Sequence, residues 1–516
     1  MKALLTLTLL SGILNASAQT PLTESQIDSL VGKTLSTFKV PGIAVAVVKD
    51  GQVVLAKGYG VRSLNSKTPV DAHTAFGIAS NTKAFTATAL GMLVEEGKLK
   101  WDDKVIKYIP EFKLYDPWVT KEFTIRDLLT HRSGMGLGAG DLMFFPDSAD
   151  FTTKDIIHNL RYLKPVSSFR SKFDYDNNLY TVAGEVLKRV SGQSWSDFIQ
   201  QRILTPLGMN GSAPYYARLA DKTNVIDAHA PVDGTVRVIP RHYDPEGGPA
   251  GSIYSNVNDL AKWVQVQLAH GRYGTPQKQL FSDAVHEETW AAQTILPVGG
   301  PGYYNVHFRA YALGFFLSDV KGYKQVEHTG GLEGMVTEIT MLPELKLGII
   351  VLTNQQEGGA FYTITNSIKD GYLGLPQRDW LERISKATKG DQAEAKQLTD
   401  SIWRDITAMQ QKAGSTNVTR YAGTYRDPWL GDILITQKDG GLYFQSKRSP
   451  KLGGPMYFYK DSTFIVKWVN RSMDADAFVH FSANKSGRIT GATMKAVSPL
   501  TDFSYDFHDL ELKRVK

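Results

Sequence analysis

The segment from Phe76 to Val94 constrains the fold more than any other. Ala84, Phe85, Ala87, Ala89, Leu90, Met92, Leu93 and Val94 make a helix that is apolar nearly all round, and such a helix must be covered on every side. Two residues that can do chemistry, Ser80 and Lys83, stand at its head. Three positions apart on a helix, they share one face. Burial disfavours the charged form of a lysine and lowers its pKa, and a neutral lysine can take the proton of a serine hydroxyl and make it a nucleophile. The free N–H groups and positive dipole end of the same helical turn favour a developing oxyanion. Taken alone, Ser-x-x-Lys also fits a capping serine followed by a surface lysine, so the rest of the chain has to decide.

The chain has 516 residues, enough for about three domains. Its 42% hydrophobic and 21% charged residues are ordinary for a globular protein. The formal charge of +6 is spread without a dense Lys/Arg run or a basic stripe interleaved with aromatics, so no nucleic-acid partner is expected. Met1-Lys2, the apolar stretch Ala3 to Leu14 and the small residues Ala16-Ser17-Ala18 fit a signal peptide over residues 1–18, with Gln19 as the mature start. No later run is long enough to span a bilayer, so the expectation is an exported protein, periplasmic or secreted, without stable membrane insertion. There is no cysteine, which excludes disulfides and thiol catalysis.

Helical spacing of Ile27, Leu30, Val31, Thr34, Leu35 and Phe38 predicts a helix from Thr23 to Phe38. A hairpin follows, Ile43 to Val48 and Val53 to Ala56, whose first strand reads as buried on both faces. Helices are expected over Phe123 to Thr130 with a Thr124 cap, and over Tyr180 to Val190, Trp195 to Ile203 and Ser255 to Ala269. Strands are expected over Leu313 to Leu317, Val336 to Leu342 and Leu347 to Leu352. This order predicts an α/β sandwich, an antiparallel sheet with an all-helical insert. The stripe Leu398, Ile402, Ile406 and Met409 reads as a helical linker lying on the main domain. From Tyr421 onward, short alternating strands at regular spacing, ending with Phe507 to Leu512, suggest a small antiparallel barrel or sandwich.

A Ser-Lys acylase needs a second proton-handling group, a polar group to orient substrate, and an oxyanion hole. Tyr175 and Asn177 lie two apart in a polar loop before a helix. A tyrosine beside a lysine cation can be held as phenolate and act as a base, or relay a proton to the leaving group, and the asparagine can present its amide to a substrate carbonyl. His328-Thr329-Gly330-Gly331 lies between candidate strands, where glycine permits close approach of a substrate backbone. Read singly, these motifs also fit a capping loop with a packed tyrosine and an ordinary hairpin.

Together, Ser80-x-x-Lys83, Tyr175-x-Asn177 and His328-Thr329-Gly330 stand in the order and rough separation found in penicillin-recognising serine acyltransferases. The chain resembles their branch of class C β-lactamases, D-alanyl-D-alanine carboxypeptidases, D-aminopeptidases and esterases, over about Thr23 to Leu373, and its tail resembles the lipocalin-like barrel appended to some members. The resemblance implies a β-lactamase-like sandwich over residues 19–375, a linker over 376–416 and a lipocalin-like barrel over 417–516. It implies Ser80 as the acylated nucleophile, Lys83 and Tyr175 as general acid/base, Asn177 as the substrate-orienting amide, and the N–H groups of Ser80 and Gly331 as the oxyanion hole. His328 and Thr329 would line the cleft. No cofactor and no metal is implied, and no His-Glu-x-x-His or other zinc spacing is present. The substrate would be a small peptide, amide or ester, including D-residue peptides or cell-wall fragments.

One departure matters. β-Lactamases and many carboxypeptidases carry lysine where this chain has His328. An unperturbed imidazole is largely neutral at pH 7 and becomes a cation below about 6.5, so peptidase or esterase activity is expected above β-lactam hydrolysis. A true β-lactamase and a non-catalytic binding protein on the same fold remain the alternatives.

Overall fold

The computed structural model describes residues 20–242, 247–412 and 418–515. The expected signal peptide lies outside the described residues. Thr23 is the N-cap of α1 (Glu24–Phe38) rather than its first residue, and it exchanges hydrogen bonds with Gln26 in a capping box. The chain then forms β1 (Gly42–Lys49) and β2 (Gln52–Gly60), and reaches α2 (Thr82–Glu95) through a single 3₁₀ turn at Ala79–Asn81. Two further helices, α3 (Asn178–Ser191) and α4 (Val257–Leu268), precede the strands β3 (Thr294–Leu296), β4 (Arg309–Tyr311), β5 (Phe316–Val320), β6 (Tyr323–Leu332), β7 (Met335–Leu342) and β8 (Leu347–Thr353). They join β1 and β2 in one antiparallel sheet of order β2-β1-β8-β7-β6-β5-β4-β3.

The two-residue period of β1 sorts its side chains between two cores. Ile43, Val45 and Val47 pack with Ile349 and Val351 of β8 against α1 and against Ile364 and Ile368 of α5 (Gly358–Tyr372). Ala44, Ala46 and Val48 face the other core, where Phe85 of α2 stacks on Trp263 of α4 at 3.9 Å. Burying each large aliphatic side chain contributes roughly 1.5–3 kcal/mol, so both faces hold the sheet between helices. The two-sided burial expected of β1 is thus present, and α2 is enclosed as its apolar surface requires.

Three local expectations are corrected. Phe123 to Thr130 forms one 3₁₀ turn, Asp127–Leu129, although Thr124 and Asp127 do exchange capping bonds. The run Leu313 to Leu317 is not one strand. The chain turns at Gly314, at φ 82°, where a Cβ would stand 2.8 Å from the Lys83 carbonyl oxygen, and β4 and β5 form either side of that turn. Phe507 to Leu512 divides into a 3₁₀ turn, Phe507–Asp509, and a strand that starts at Glu511.

The helix α6 (Trp380–Lys412) links the sheet to the C-terminal strands. Its start belongs to the main body, where the buried Trp380 donates to Asp370 Oδ2 at 2.7 Å. The apolar stripe lies elsewhere than expected. Ile402 and Ile406 pack on Ile465 and Val497 of the barrel, while Leu398 is exposed. The C-terminal strands β9 (Gly423–Asp427), β10 (Gly431–Lys438), β11 (Gly441–Ser446), β12 (Gly453–Lys460), β13 (Thr463–Val466), β14 (Ala477–Ala483), β15 (Ile489–Ala496) and β16 (Glu511–Arg514) close in sequence order into an antiparallel up-and-down barrel. Eight strands leave an interior just wide enough for side chains, and Tyr421, Phe464 and Phe481 pack there with ring centroids 4.8–5.6 Å apart. Between β15 and β16 the chain leaves the barrel and runs onto the main body, where Asp506 accepts from the N–H groups of Gly140 and Leu142 at 2.6 and 3.0 Å.

Ile406→Ala is expected to destabilise the protein by about 2–4 kcal/mol, because it opens a cavity where the helix meets the barrel. Urea unfolding followed by tryptophan fluorescence measures this. A change within about 0.5 kcal/mol, the usual size of a surface effect, would show that the contact does not hold the barrel.

Candidate active site

The 3₁₀ turn that carries Ser80 is held from below by β6 and β7. Thr337 of β7 donates its hydroxyl to the Ile78 carbonyl at 3.0 Å and accepts from Asn81 Nδ2 at 2.9 Å. Gly330 of β6 lies so close to the turn that a Cβ there would be 2.3 Å from Ile78 O and 2.9 Å from Ala79 Cβ. The glycine therefore serves the packing of strand on turn. At Gly331, by contrast, a Cβ would meet nothing within 4 Å. Ala79 has φ 48°, a left-handed conformation that L-residues adopt at a cost of roughly 1–3 kcal/mol, and the kink aims Ser80 into a cavity of about 480 Å³.

Lys83 is fully buried. Its Nζ lies 3.1 Å from Ser80 Oγ, 2.7 Å from Asn177 Oδ1 and 2.9 Å from the Ala250 carbonyl oxygen. An ammonium has three donors, and here each meets one acceptor. Two of those partners, an amide oxygen and a backbone carbonyl, only accept. When Lys83 loses a proton, Ser80 is the one neighbour of the three able to donate to its lone pair. Deprotonation therefore turns the Ser80–Lys83 hydrogen bond round, which is the arrangement of a base facing the nucleophile it activates. Desolvation pulls the Lys83 pKa down to about 7, against the opposing pull of Asp141 and Asp176.

Asn177 was expected to offer its amide to substrate. Its Oδ1 accepts from Lys83 and one N–H of Nδ2 donates to Asp141 Oδ2 at 2.8 Å, while the amide carries a second N–H and Asn177 lines the cavity. It orients Lys83 and fixes which of its atoms faces the ammonium. The carboxyls of Asp141 and Asp506 are both fully buried. Burial holds both well above the usual carboxylate range, each also raised by a neighbouring aspartate. Asp176 is raised to about 7 by desolvation, against backbone N–H donors from Leu179 and Asn178.

The Lys83 ammonium lies 4.8 Å from the centre of the Tyr175 ring and 5.1 Å from that of Tyr180, so it faces their π-systems. His131 stacks on the other side of Tyr175 at 4.1 Å. The Tyr175 hydroxyl is buried and, among the described residues, has no hydrogen bond of full geometry. Desolvation raises its pKa well above the ordinary value, against the nearby Ser80 hydroxyl, so Tyr175 is a phenol and not a phenolate.

His328 is buried in β6. Its Nδ1 lies 2.5 Å from the Thr329 carbonyl oxygen and must donate to it, which leaves Nε2 to accept from the Tyr311 hydroxyl at 3.1 Å. Desolvation and then the nearby Lys83 lower its pKa to about 3. The expected protonation near pH 6.5 does not occur, and the ring is a fixed neutral group. His328, Thr329 and Gly331 line the cavity with Ser80, Tyr175 and Asn177, while Gly330 lies beneath the nucleophile turn.

The segment between β15 and β16 forms one wall of this cavity through Leu500, Asp502, Phe503, Ser504 and Tyr505. Phe503 stands edge-on to Tyr175 at 5.7 Å. Nothing in the local sequence pointed to this wall or to Asp141 and Asp506. The Asp506–Gly140 bond joins residues 366 apart, a partnership that no local pattern encodes.

Among known proteins, residues 27–369 match the β-lactamase family, and residues 407–514 match a domain of unknown function, DUF3471. The chain is 28% identical over 454 residues to the unguisins hydrolase of Aspergillus violaceofuscus, covering 82% of this chain and 78% of that protein. It is 28% identical over 334 residues to the protein flp of Staphylococcus aureus, covering 64% of this chain but only 63% of that protein. An octameric penicillin-binding protein homologue from Pyrococcus abyssi shares the fold with a TM-score of 0.61 at 22% identity, over 95% of this chain and 100% of that one.

If neutral Lys83 activates Ser80, labelling of the protein by a fluorophosphonate is expected to slow about tenfold per pH unit below pH 7 and to level off above it. Asp176 raises the Lys83 pKa, so Asp176→Asn is expected to move this limb to lower pH. Labelling rates measured from pH 5 to 9 test both statements. A flat profile, or a limb that moves to higher pH, would contradict the assignment.

Proposed function

The chain belongs to the β-lactamase family of serine hydrolases, and we propose that it is an exported enzyme that acylates Ser80 while cleaving amide or ester bonds of substrates without a free carboxylate, D-residue peptides among them. The observation that carries this reading is the fully buried Lys83 amine, 3.1 Å from Ser80 Oγ and otherwise held by acceptors alone. In the proposed reaction neutral Lys83 takes the Ser80 proton as Oγ attacks the carbonyl carbon. The tetrahedral oxyanion is met by the N–H groups of Ser80 and Gly331. The phenol of Tyr175 passes a proton toward the leaving amine or alcohol and is replenished from Lys83. Water then releases the acyl group with the proton path reversed. General acid/base groups of this kind contribute ~10²–10⁴-fold.

The charge of the cavity supports the substrate class. Among the described residues its lining includes the carboxyl groups of Glu333, Asp474 and Asp502, the neutral His328, and no lysine or arginine. A substrate carboxylate would meet acidic groups on this lining and no cation on it. Phe144, Phe145, Tyr215, Phe316 and Phe503 give the same cavity apolar surface for a hydrophobic acyl or leaving group. The carboxylate-bearing β-lactams are therefore the less favoured reading. A purely binding role would leave the Ser80–Lys83 geometry without a use.

A panel of D- and L-aminoacyl amides, acetyl and butyryl esters, and a chromogenic cephalosporin tests the proposal. Amides or esters are expected to be turned over, with the cephalosporin at least about a hundredfold slower in kcat/KM. Ser80→Ala is expected to abolish turnover and fluorophosphonate labelling while leaving the melting temperature nearly unchanged. Wild-type turnover by Ser80→Ala, or a preference for the cephalosporin, would overturn the reading.

A further inference from the structure

A second polar cluster lies in the cavity wall apart from Ser80 and Lys83. Asp147, His242 and Glu333 bring one potential ligand atom each to within 4.8 Å of one another. Asp147 is 6% exposed, His242 9% and Glu333 9%. The Nδ1 of His242 is closed off from solvent and has no hydrogen-bond partner among the described residues, and Phe145 covers the ring at 4.9 Å. A buried imidazole with one unpaired nitrogen, its ring meeting two carboxyls, is costly unless something fills the space around it. Two protein groups reach this cluster from the C-terminal side. Tyr505 donates to Glu333 Oε1 at 2.9 Å, and the Lys451 ammonium pairs with Asp147 Oδ1.

We propose that Asp147, His242 and Glu333 bind one divalent transition-metal ion of the zinc type. An imidazole and two carboxylates are a donor set that zinc accepts, whereas a magnesium site draws mainly on oxygen ligands and retained water. Ligand atoms around a tetrahedral zinc stand roughly 3.4 Å apart when each bond is about 2.1 Å, so the cluster has to contract modestly on binding. The ion takes the place of the Lys451 ammonium at Asp147. That side chain is long and still 25% exposed, so it can turn out to solvent. His242 and Glu333 also line the cavity that holds Ser80. The remaining coordination position therefore opens toward bound substrate and is filled by water or by a substrate oxygen. No short zinc spacing marks this site, because its ligands come from three distant segments.

The test is calorimetric titration of the chelator-treated full-length chain with zinc chloride, and with magnesium chloride for comparison, alongside thermal melting of each sample. One zinc per chain is expected, bound at least tenfold more tightly than magnesium and accompanied by a rise in melting temperature. His242→Ala and Glu333→Gln are each expected to weaken zinc binding at least tenfold. Lys451→Met is expected to tighten it severalfold, because the competing ammonium is gone. Glu333→Gln keeps nearly the same shape, so it remains informative if His242→Ala fails to fold. The proposal is overturned if wild type shows no saturable zinc binding, or if both ligand variants bind as wild type does. It is equally overturned if only Lys451→Met binds, since the lysine would then be the permanent cation of the cluster.

Discussion

An amine buried without solvent must find a partner for every proton and for its lone pair, and this requirement at Lys83 organises the centre of the molecule. As an ammonium it is satisfied by Ser80, Asn177 and the Ala250 carbonyl. As an amine it can receive a hydrogen bond from Ser80 alone among those three. The two states therefore differ by the direction of one hydrogen bond, and desolvation brings them close in energy near neutral pH. The surrounding features serve the same end. The apolar all-round surface of α2 keeps water out. Asp141 fixes the Asn177 amide, and the Ala79 kink and Gly330 set the height of Ser80 over the sheet.

The barrel contributes to this centre although its strands pair only among themselves. The segment after β15 places Asp506 on the backbone of Gly140 and Leu142, either side of Asp141, and Asp141 holds the Asn177 that holds Lys83. The same segment sets Phe503 against Tyr175 and adds Asp502 to a cavity already poor in positive charge. The C-terminal region thus reaches the Ser80 cavity both by its shape and by its buried polar bonds.

The sequence was most informative where one short segment carries both structure and chemistry. Ser80-x-x-Lys83 was legible because the helix that positions the pair is also the helix whose apolar surface demands burial. β1 was legible because two-sided burial leaves an unbroken β-branched run. Partnerships across the chain were not legible. Asn177 sits in the right loop, but only the fold reveals that it bridges Asp141 and Lys83. His328 was expected to titrate, and its neutrality follows from burial and from the nearby Lys83, which outweigh the Thr329 carbonyl one residue away. The break at Gly314 depends on contact with the backbone of α2, which no local pattern encodes.

The central claim is that the Lys83 amine is neutral in a large fraction of molecules at physiological pH. The most direct measurement is the ¹³Cε chemical shift of Lys83 in protein carrying labelled lysine, followed from pH 5 to 11 and assigned by loss of the signal in Lys83→Met. The account predicts a titration midpoint near 7, more than three units below the ordinary lysine value of about 10.4. A midpoint near 10 would mean that Lys83 stays an ammonium at neutral pH and that Ser80 is not activated by it.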